Sequence, residues 1–277
     1  GEFGARLDPP AHDDEMGRMT SLLNEMLERL HGAIEANRRF AADASHELRT
    51  PLTVIAGEVD VTLRRERTPQ EYRETLARVR DQLRQMTELT ENLMVLVRSQ
   101  ERAGDRLVHE VALADLIDAS LARMRGATEA RGITCTVRGG TDVLVYGDER
   151  LYARVVDNLL ANAVQYNRDG GTVTVEVGCE EADAAAWAAD RIVMRVTNTG
   201  PAIPREEWER IFERFRRLDA SRSRRTGGAG LGLAICRAIV GLYDGSVRVV
   251  ASEDTGTTFE LVLPGRREAS APPRVAS

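Results

Sequence analysis

Residues 68–96 read TPQEYRETLARVRDQLRQMTELTENLMVL. Apolar side chains recur there at Tyr72, Leu76, Val79, Leu83, Met86, Leu93 and Leu96, at steps of four and three with one gap of seven. That spacing is a heptad-like helical seam. At its start, Thr68 suits an N-cap, Pro69 the first helical position, and Glu71 completes a capping box. Upstream, Ala41, Ser45, Leu48, Leu52, Ile55 and Val59 repeat at similar steps. Two long antiparallel helices joined by a short turn are predicted. One such hairpin exposes an apolar seam, so it is expected to pair with a second copy as a four-helix bundle.

After Ala103-Gly104 the texture changes. Short β-rich runs cover 133–138, 143–146, 172–177, 192–197, 246–250 and 257–263. Helical stretches at about 112–130, 148–166, 205–213 and 231–243 alternate with them. The expected fold class is therefore multidomain, α plus α/β: a helical hairpin dimerising into a four-helix bundle, then an α/β sandwich. The expected boundaries are 1–35 for a leader, 36–103 for the hairpin, 104–266 for the α/β domain and 267–277 for a disordered tail. The tail reading rests on the Arg-, Ala- and Pro-rich composition that begins at Arg266.

Composition limits the function. Among 277 residues, 44 acids against 38 bases give a net charge of −6, which disfavours a generally basic nucleic-acid binder. An apolar content of 42% argues against global disorder. The longest uncharged run, Thr226–Cys236, is Gly-rich and short of the roughly 20 apolar residues a spanning helix needs. Neither a transmembrane segment nor a signal peptide is expected in these residues. Cys135, Cys179 and Cys236 are far apart and form neither a disulfide framework nor a zinc motif. The first residues, Gly1-Glu2-Phe3, lack Met and read as a cloning remnant.

Within FAADASHELRTPL, residues 40–52, His46 points about 140° from the apolar stripe, and Asp43, Glu47 and Thr50 share its outward face. Pro51 frees the carbonyl of Glu47 in mid-helix, which predicts a kink one turn from His46. A proline costing about 3 kcal/mol of helix stability beside an outward histidine points to function. In the helix at 148–166, Asn158, Asn162, Gln165 and Tyr166 lie within about a 100° arc. Asn carbonyl oxygens suit Mg²⁺. Two glycine clusters follow, at 198–203 after a strand and at 226–235 opening a helix. Glycines before a helix N-terminus let backbone N–H groups approach phosphates.

The stretch Ala44–Leu52, ASHELRTPL, resembles the H-box of bacterial two-component sensor histidine kinases. That resemblance implies that His46 is the phosphoacceptor, that Glu47 is its general base, and that Thr50 orients a water for dephosphorylation of the partner. Residues 157–166, 198–203, 212–217, 228–233 and 256–259 resemble, in order, the N-box, first glycine box, F-box, second glycine box and third glycine box of the ATP-binding module shared by gyrase, Hsp90 and histidine kinases. The resemblance implies ATP and Mg²⁺ as cofactors, with Asn162 as the metal ligand supported by Asn158. It implies nucleotide contacts from Gln165, Tyr166, Asn198, Gly200, Ala202, Gly228, Gly230, Leu231, Gly232, Leu233 and Thr258. Arg217 takes the F-box position implicated at the γ-phosphate, and LDASRSRRT, 218–226, matches the ATP lid.

Asn198 stands where the family usually has Asp, Ala202 where it has a second Gly, and Gln165 where many members have Lys or Arg. These departures motivate one alternative, a degenerate non-catalytic dimeric scaffold. A GHKL-type serine kinase is disfavoured, because it would not need the histidine-bearing hairpin. Residues 13–19 and the helix at 18–35 resemble the second half of a HAMP domain. The implied partners are a second copy and a response-regulator receiver domain, with no nucleic acid. Membrane contact would come only through a missing N-terminal transmembrane region. The implied location is the cytoplasmic portion of a cell (inner) membrane protein, itself soluble.

Overall fold

A computed structural model describes residues 15–98, 108–140, 142–180, 190–218, 229–253 and 255–267. The chain divides into two compact units, Gly1–Thr87 and Glu88–Ser277. The part of the expected leader before residue 15 and the expected tail from 268 lie outside the described residues.

In the first unit, α1 (Glu15–Leu63) joins the expected leader at 18–35 and the His46 helix into one element. Pro51 lies inside it, and the helix continues for three more turns to Leu63. Hydroxyls donate back along α1 to the carbonyl four residues earlier: Ser45 to Ala41 (2.7 Å), Thr50 to His46 (3.1 Å), Thr53 to Arg49 (2.9 Å) and Thr62 to Glu58 (2.6 Å). Such back-bonding lets short polar residues sit within a helix. The guanidinium of Arg67 donates to the Val61 carbonyl and closes the end of α1. α2 (Pro69–Arg98) then starts with the expected capping box. The Thr68 N–H donates to the Glu71 carboxylate at 2.8 Å, and the Glu71 N–H returns to Thr68 Oγ1 at 3.3 Å.

The single seam expected in α2 splits into two faces. Val79, Met86 and Leu93 are half-buried and Leu96 is buried. Tyr72, Leu76 and Leu83 are exposed, Leu76 by 66%. Leu52 and Val59 of α1 are exposed likewise.

In the second unit a seven-stranded mixed sheet carries three helices. Its elements are β1 (His109–Ala112), α3 (Leu113–Ala130), β2 (Thr134–Gly139), β3 (Val143–Gly147), α4 (Glu149–Gln165), β4 (Thr172–Glu180), β5 (Asp190–Asn198), α5 (Gly232–Gly241), β6 (Ser246–Glu253) and β7 (Gly256–Arg267). The strand order is β1-β3-β7-β5-β4-β2, and β6 also pairs with β7. Only β2 and β4 run parallel among these pairs.

Alternation sorts the two sheet faces. Val173 and Val175, Ile192, Met194 and Val196, and Phe259, Leu261 and Leu263 are buried and face α3, α4 and α5. The intervening positions pair across strands on the other face: Thr197 with Thr258, and Glu260 with both Arg195 and Arg248. Burial pushes the Glu260 carboxyl up, but hydrogen bonds and charge from Arg248 and Arg195 outweigh it and hold the group below its ordinary range.

Three expectations change here. The helix expected at 205–213 is two short 3₁₀ turns, 205–207 and 210–212. The Trp208 indole N–H donates to the Ile203 carbonyl at 3.0 Å, folding this segment back on its own start. β1, four residues long, was not expected and forms the edge beside β3. β7 keeps Arg266 and Arg267 in the sheet against Leu144 and Val143, so the strand runs past the expected onset of the tail.

Candidate active site

His46 is exposed on α1, with Glu47 half-buried beside it. Thr50 sits one turn on, its hydroxyl given to the His46 carbonyl. The other candidate residues belong to the second unit: Asn158, Asn162, Gln165 and Tyr166 lie on α4 or at its end, and Gly200 and Gly232 approach it.

α4 is fixed at both ends. Asp148 accepts from the N–H groups of Arg150 (2.8 Å) and Leu151 (3.0 Å) as an N-cap. At the other end Arg131 donates to the carbonyls of Val164 (2.6 Å) and Asn167 (2.6 Å) and pairs with Asp169. A cation bound to the last free carbonyls stabilises a helix C-terminus. Asn167, buried, then ties α4 to the sheet: it donates to the Thr172 carbonyl at 2.9 Å and accepts from Thr199 at 2.8 Å. Arg131 and Asn167 were not singled out in the sequence. Their signal was present as an arginine after a helix end and an Asn directly after the Asn-bearing helix, but the partners of Arg131 and the Thr199 partner of Asn167 are remote in sequence.

Between these ends Asn158, Asn162 and Gln165 are half-buried and Tyr166 is 45% exposed. The side-chain nitrogens of Asn158 and Gln165 are buried without a protein partner. Orphaned amide donors of this kind are costly unless something else accepts from them.

Asn158 Oδ1 lies 3.2 Å from where a Cβ would stand at Gly232, so α4 meets the N-terminus of α5 at van der Waals distance. Leu231 is the N-cap of α5 and offers no side-chain acceptor, which leaves its first N–H groups to backbone or ligand partners. At Gly230 φ is +69°, and a Cβ would come within 2.9 Å of the Phe215 carbonyl carbon. Leu231 is buried and Leu233 half-buried. Gly228 and residues 219–226 of the expected lid lie outside the described residues.

At the opposite end, buried Asn198 closes β5 and is paired in register with Thr257 of β7. A Cβ at Gly200 would meet the Tyr166 carbonyl oxygen at 2.0 Å, so β5 and the end of α4 touch only because that residue is glycine. Ala202 is exposed just beyond. Thr258 is not part of this group. It faces the other side of the sheet, hydrogen-bonded to Thr197 at 2.9 Å, in line with Glu260. Thr257 is the threonine on the helix side, 2% exposed, with its hydroxyl 2.6 Å from Ser252 Oγ. Strict alternation back from the inward Phe259 would have selected it.

Arg217 is half-buried, directly after Arg216, which is held by Glu207. No group of His, Cys, Asp or Glu suited to a metal occurs among the described residues. Ligation here would fall to Asn oxygens and phosphates, the donor set Mg²⁺ accepts.

Residues 36–102 match the family model described as the His Kinase A (phospho-acceptor) domain. Residues 147–267 match that of the Histidine kinase-, DNA gyrase B-, and HSP90-like ATPase. The chain belongs to the two-component sensor histidine kinases. Its kinase-type ATPase domain makes it an ATP-binding protein. It is 32% identical over 250 residues to the sensor protein IrlS of Burkholderia pseudomallei, covering 90% of this chain and 52% of IrlS. Identity is 30% over 270 residues to the histidine-protein kinase BaeS of Escherichia coli, covering 97% and 55%. It is 32% over 265 residues to the sensor protein CutS of Streptomyces coelicolor, covering 95% and 61%. This sensor kinase chain thus spans about half to three fifths of the length of these relatives. In fold it resembles the histidine kinase AdeS of Acinetobacter baumannii, with a TM-score of 0.59 at 19% identity over 79% of this chain and 97% of AdeS. Among the described residues no helix is long and apolar enough to cross a membrane.

Proposed function

We propose that this chain is the kinase portion of a sensor: it transfers the γ-phosphoryl group of ATP to His46 and then to an aspartate of a response regulator. The observation that carries the nucleotide half of this reading is the approach of Asn158 to Gly232. It sets an Asn-lined helix face against a helix N-terminus whose N-cap has no side-chain acceptor, a natural phosphate site. The backbone around Gly230, Leu231, Gly232 and Leu233 holds phosphates. Asn162, aided by Asn158, holds Mg²⁺, which when bound neutralises phosphate charge. Asn198, Gly200 and Thr257 hold the base, with Tyr166 packed on it. Gln165 Nε2 supplies a neutral donor where many relatives carry a cation, and Asn198 an acceptor without charge assistance.

In the transfer step an imidazole nitrogen of His46 bonds to the γ-phosphorus, the bond to ADP breaks, and Glu47 takes the imidazole proton. Thr50 serves the opposing reaction, hydrolysis of the partner's phosphoaspartate. Its proton is committed to the His46 carbonyl, so a water must donate to it, and that water keeps its lone pairs free to attack phosphoaspartate. Exposed Leu52, Val59, Tyr72, Leu76 and Leu83 support a homodimer, and the family supports a receiver domain as the second partner. The family also supports these residues belonging to the cytoplasmic side of a membrane-anchored sensor, and on this reading the start of α1, residues 18–35, is the HAMP-like helix.

The direct test uses γ-labelled ATP and Mg²⁺ with the wild type and His46→Ala. Acid-labile, alkali-stable label on the wild type only is expected. Folded wild-type dimers that take up no label would favour the scaffold instead. For the base site, Thr257→Val is expected to weaken ATP binding about tenfold and Thr258→Val to leave it unchanged. Equal losses in the two variants would place the site wrongly.

A further inference from the structure

Arg216 and Arg217 are adjacent, yet the structure treats them differently. Arg216 is held: its guanidinium meets both oxygens of Glu207, with Nη2 at 2.7 Å from each and Nε at 3.1 Å from Oε2. Arg210 adds a fourth contact to the same carboxylate at 2.9 Å. The Glu207 side chain is only 13% exposed, so this is a partly desolvated, forked pair rather than a loose surface contact. Arg217 has no carboxylate partner among the described residues.

The backbone at this point is equally constrained. Phe215, a bulky non-glycine residue, is left-handed at φ +60°. Such a conformation persists only where its surroundings enforce it. Gly230, also left-handed at +69°, packs so closely that an added Cβ would lie 3.0 Å from the Arg216 carbonyl oxygen. Residues 215–217 therefore run between the Glu207 carboxylate on one side and the start of α5 on the other.

We propose that Glu207 is a positioning residue for nucleotide discrimination: by locking Arg216 it fixes the strained backbone at Phe215 and aims Arg217 at the terminal phosphate of ATP. This inference rests on the nucleotide reading above. One carboxylate neutralises the cation that must stay in the protein and leaves the neighbouring cation for the ligand. Glu207 itself touches no nucleotide.

The test compares the full chain's affinity for ADP and for an ATP analogue with a non-hydrolysable β–γ bridge, in Mg²⁺. The wild type should prefer the triphosphate, and Arg217→Ala should abolish that preference. Glu207→Gln, which keeps the shape and removes the charge, should weaken triphosphate binding about tenfold and change ADP binding less than twofold. The double variant should lose no more preference than Arg217→Ala alone. Arg216→Lys, which keeps a charge but loses the fork, should behave as Glu207→Gln does and covers the case of a misfolded first variant.

Equal weakening of both nucleotides would make Glu207 merely structural and overturn the proposal. So would additive losses in the double variant, or an Arg217→Ala protein that keeps its preference. A wild type that binds neither nucleotide overturns the nucleotide reading and this inference with it. A wild type that binds both, combined with an unaffected Glu207→Gln, overturns this inference alone.

Discussion

In the first unit, α1 and α2 up to Thr87, the side chains buried among the described residues are two threonines, Thr62 and Thr75, while buried Leu89 and Leu96 of α2 belong to the second unit. In the α/β domain the buried side chains include Tyr152, Leu159, Leu160, Ile192, Met194, Ile235 and Phe259, none more than 2% exposed. The same chain thus meets the requirement for a hydrophobic core in two ways. A sheet with helices on one face closes a core from its own residues. Two helices cannot: each has one stripe to give its neighbour, and a second stripe at Leu52, Val59, Tyr72, Leu76 and Leu83 stays open. On the homodimer reading proposed above, the hairpin's stability is intermolecular and depends on concentration, while that of the α/β domain does not.

That contrast can be broken most sharply at Leu76 and Leu83. Changing both to Asp should cost about 3–6 kcal/mol of association, at least a hundredfold in dissociation constant, while the α/β domain's unfolding transition stays in place. Analytical ultracentrifugation showing an unchanged dimer would remove the second-copy account. The converse change, Phe259→Ala, removes a ring that packs edge-on against Phe212. It should lower the α/β domain's stability by about 3–5 kcal/mol at any protein concentration and leave the dimer intact. A concentration-dependent loss in calorimetry would blur the division.

Acid should sharpen the comparison. Glu260 has its pKa depressed in the fold, so its contribution is complete above the ordinary carboxylate range and is lost as pH falls through its lowered value. The α/β transition should therefore weaken as pH falls below about 4, and Glu260→Gln should flatten that part of the profile. An unaltered profile in Glu260→Gln would assign the acid sensitivity elsewhere. The smallest expected effect is on the hairpin. Thr68→Ala removes the cap of α2 and should cost about 0.5–1 kcal/mol of dimer stability, with no change in nucleotide affinity. A change in ATP affinity instead would contradict an isolated capping role.

Much of this was legible because the interactions are local. Thr68, Pro69 and Glu71 announce the start of α2 within four residues, and Asp148 does the same for α4. The α4 Asn face followed from helical period alone. What misled was also local. Residues 205–213 carry good helix formers, but the indole of Trp208 and the claims of Arg210 and Arg216 on Glu207 hold them as 3₁₀ turns. The heptad rule grouped Val79 and Met86 with Leu76 and Leu83, since steps of three and four span more than one neighbour.

The sequence by itself determined the hairpin, its turn, the alternation of the strands and the order of the motifs, because each is set by residues a few positions apart. Only the tertiary structure decided that Thr257 stands opposite Asn198, since the β5–β7 register joins residues remote in the chain. It also decided that Asn158 meets Gly232, that Arg131 closes α4, and that Glu207 takes Arg216 and leaves Arg217. Those contacts join residues remote in the chain, and only the packed sheet and helices bring them within reach.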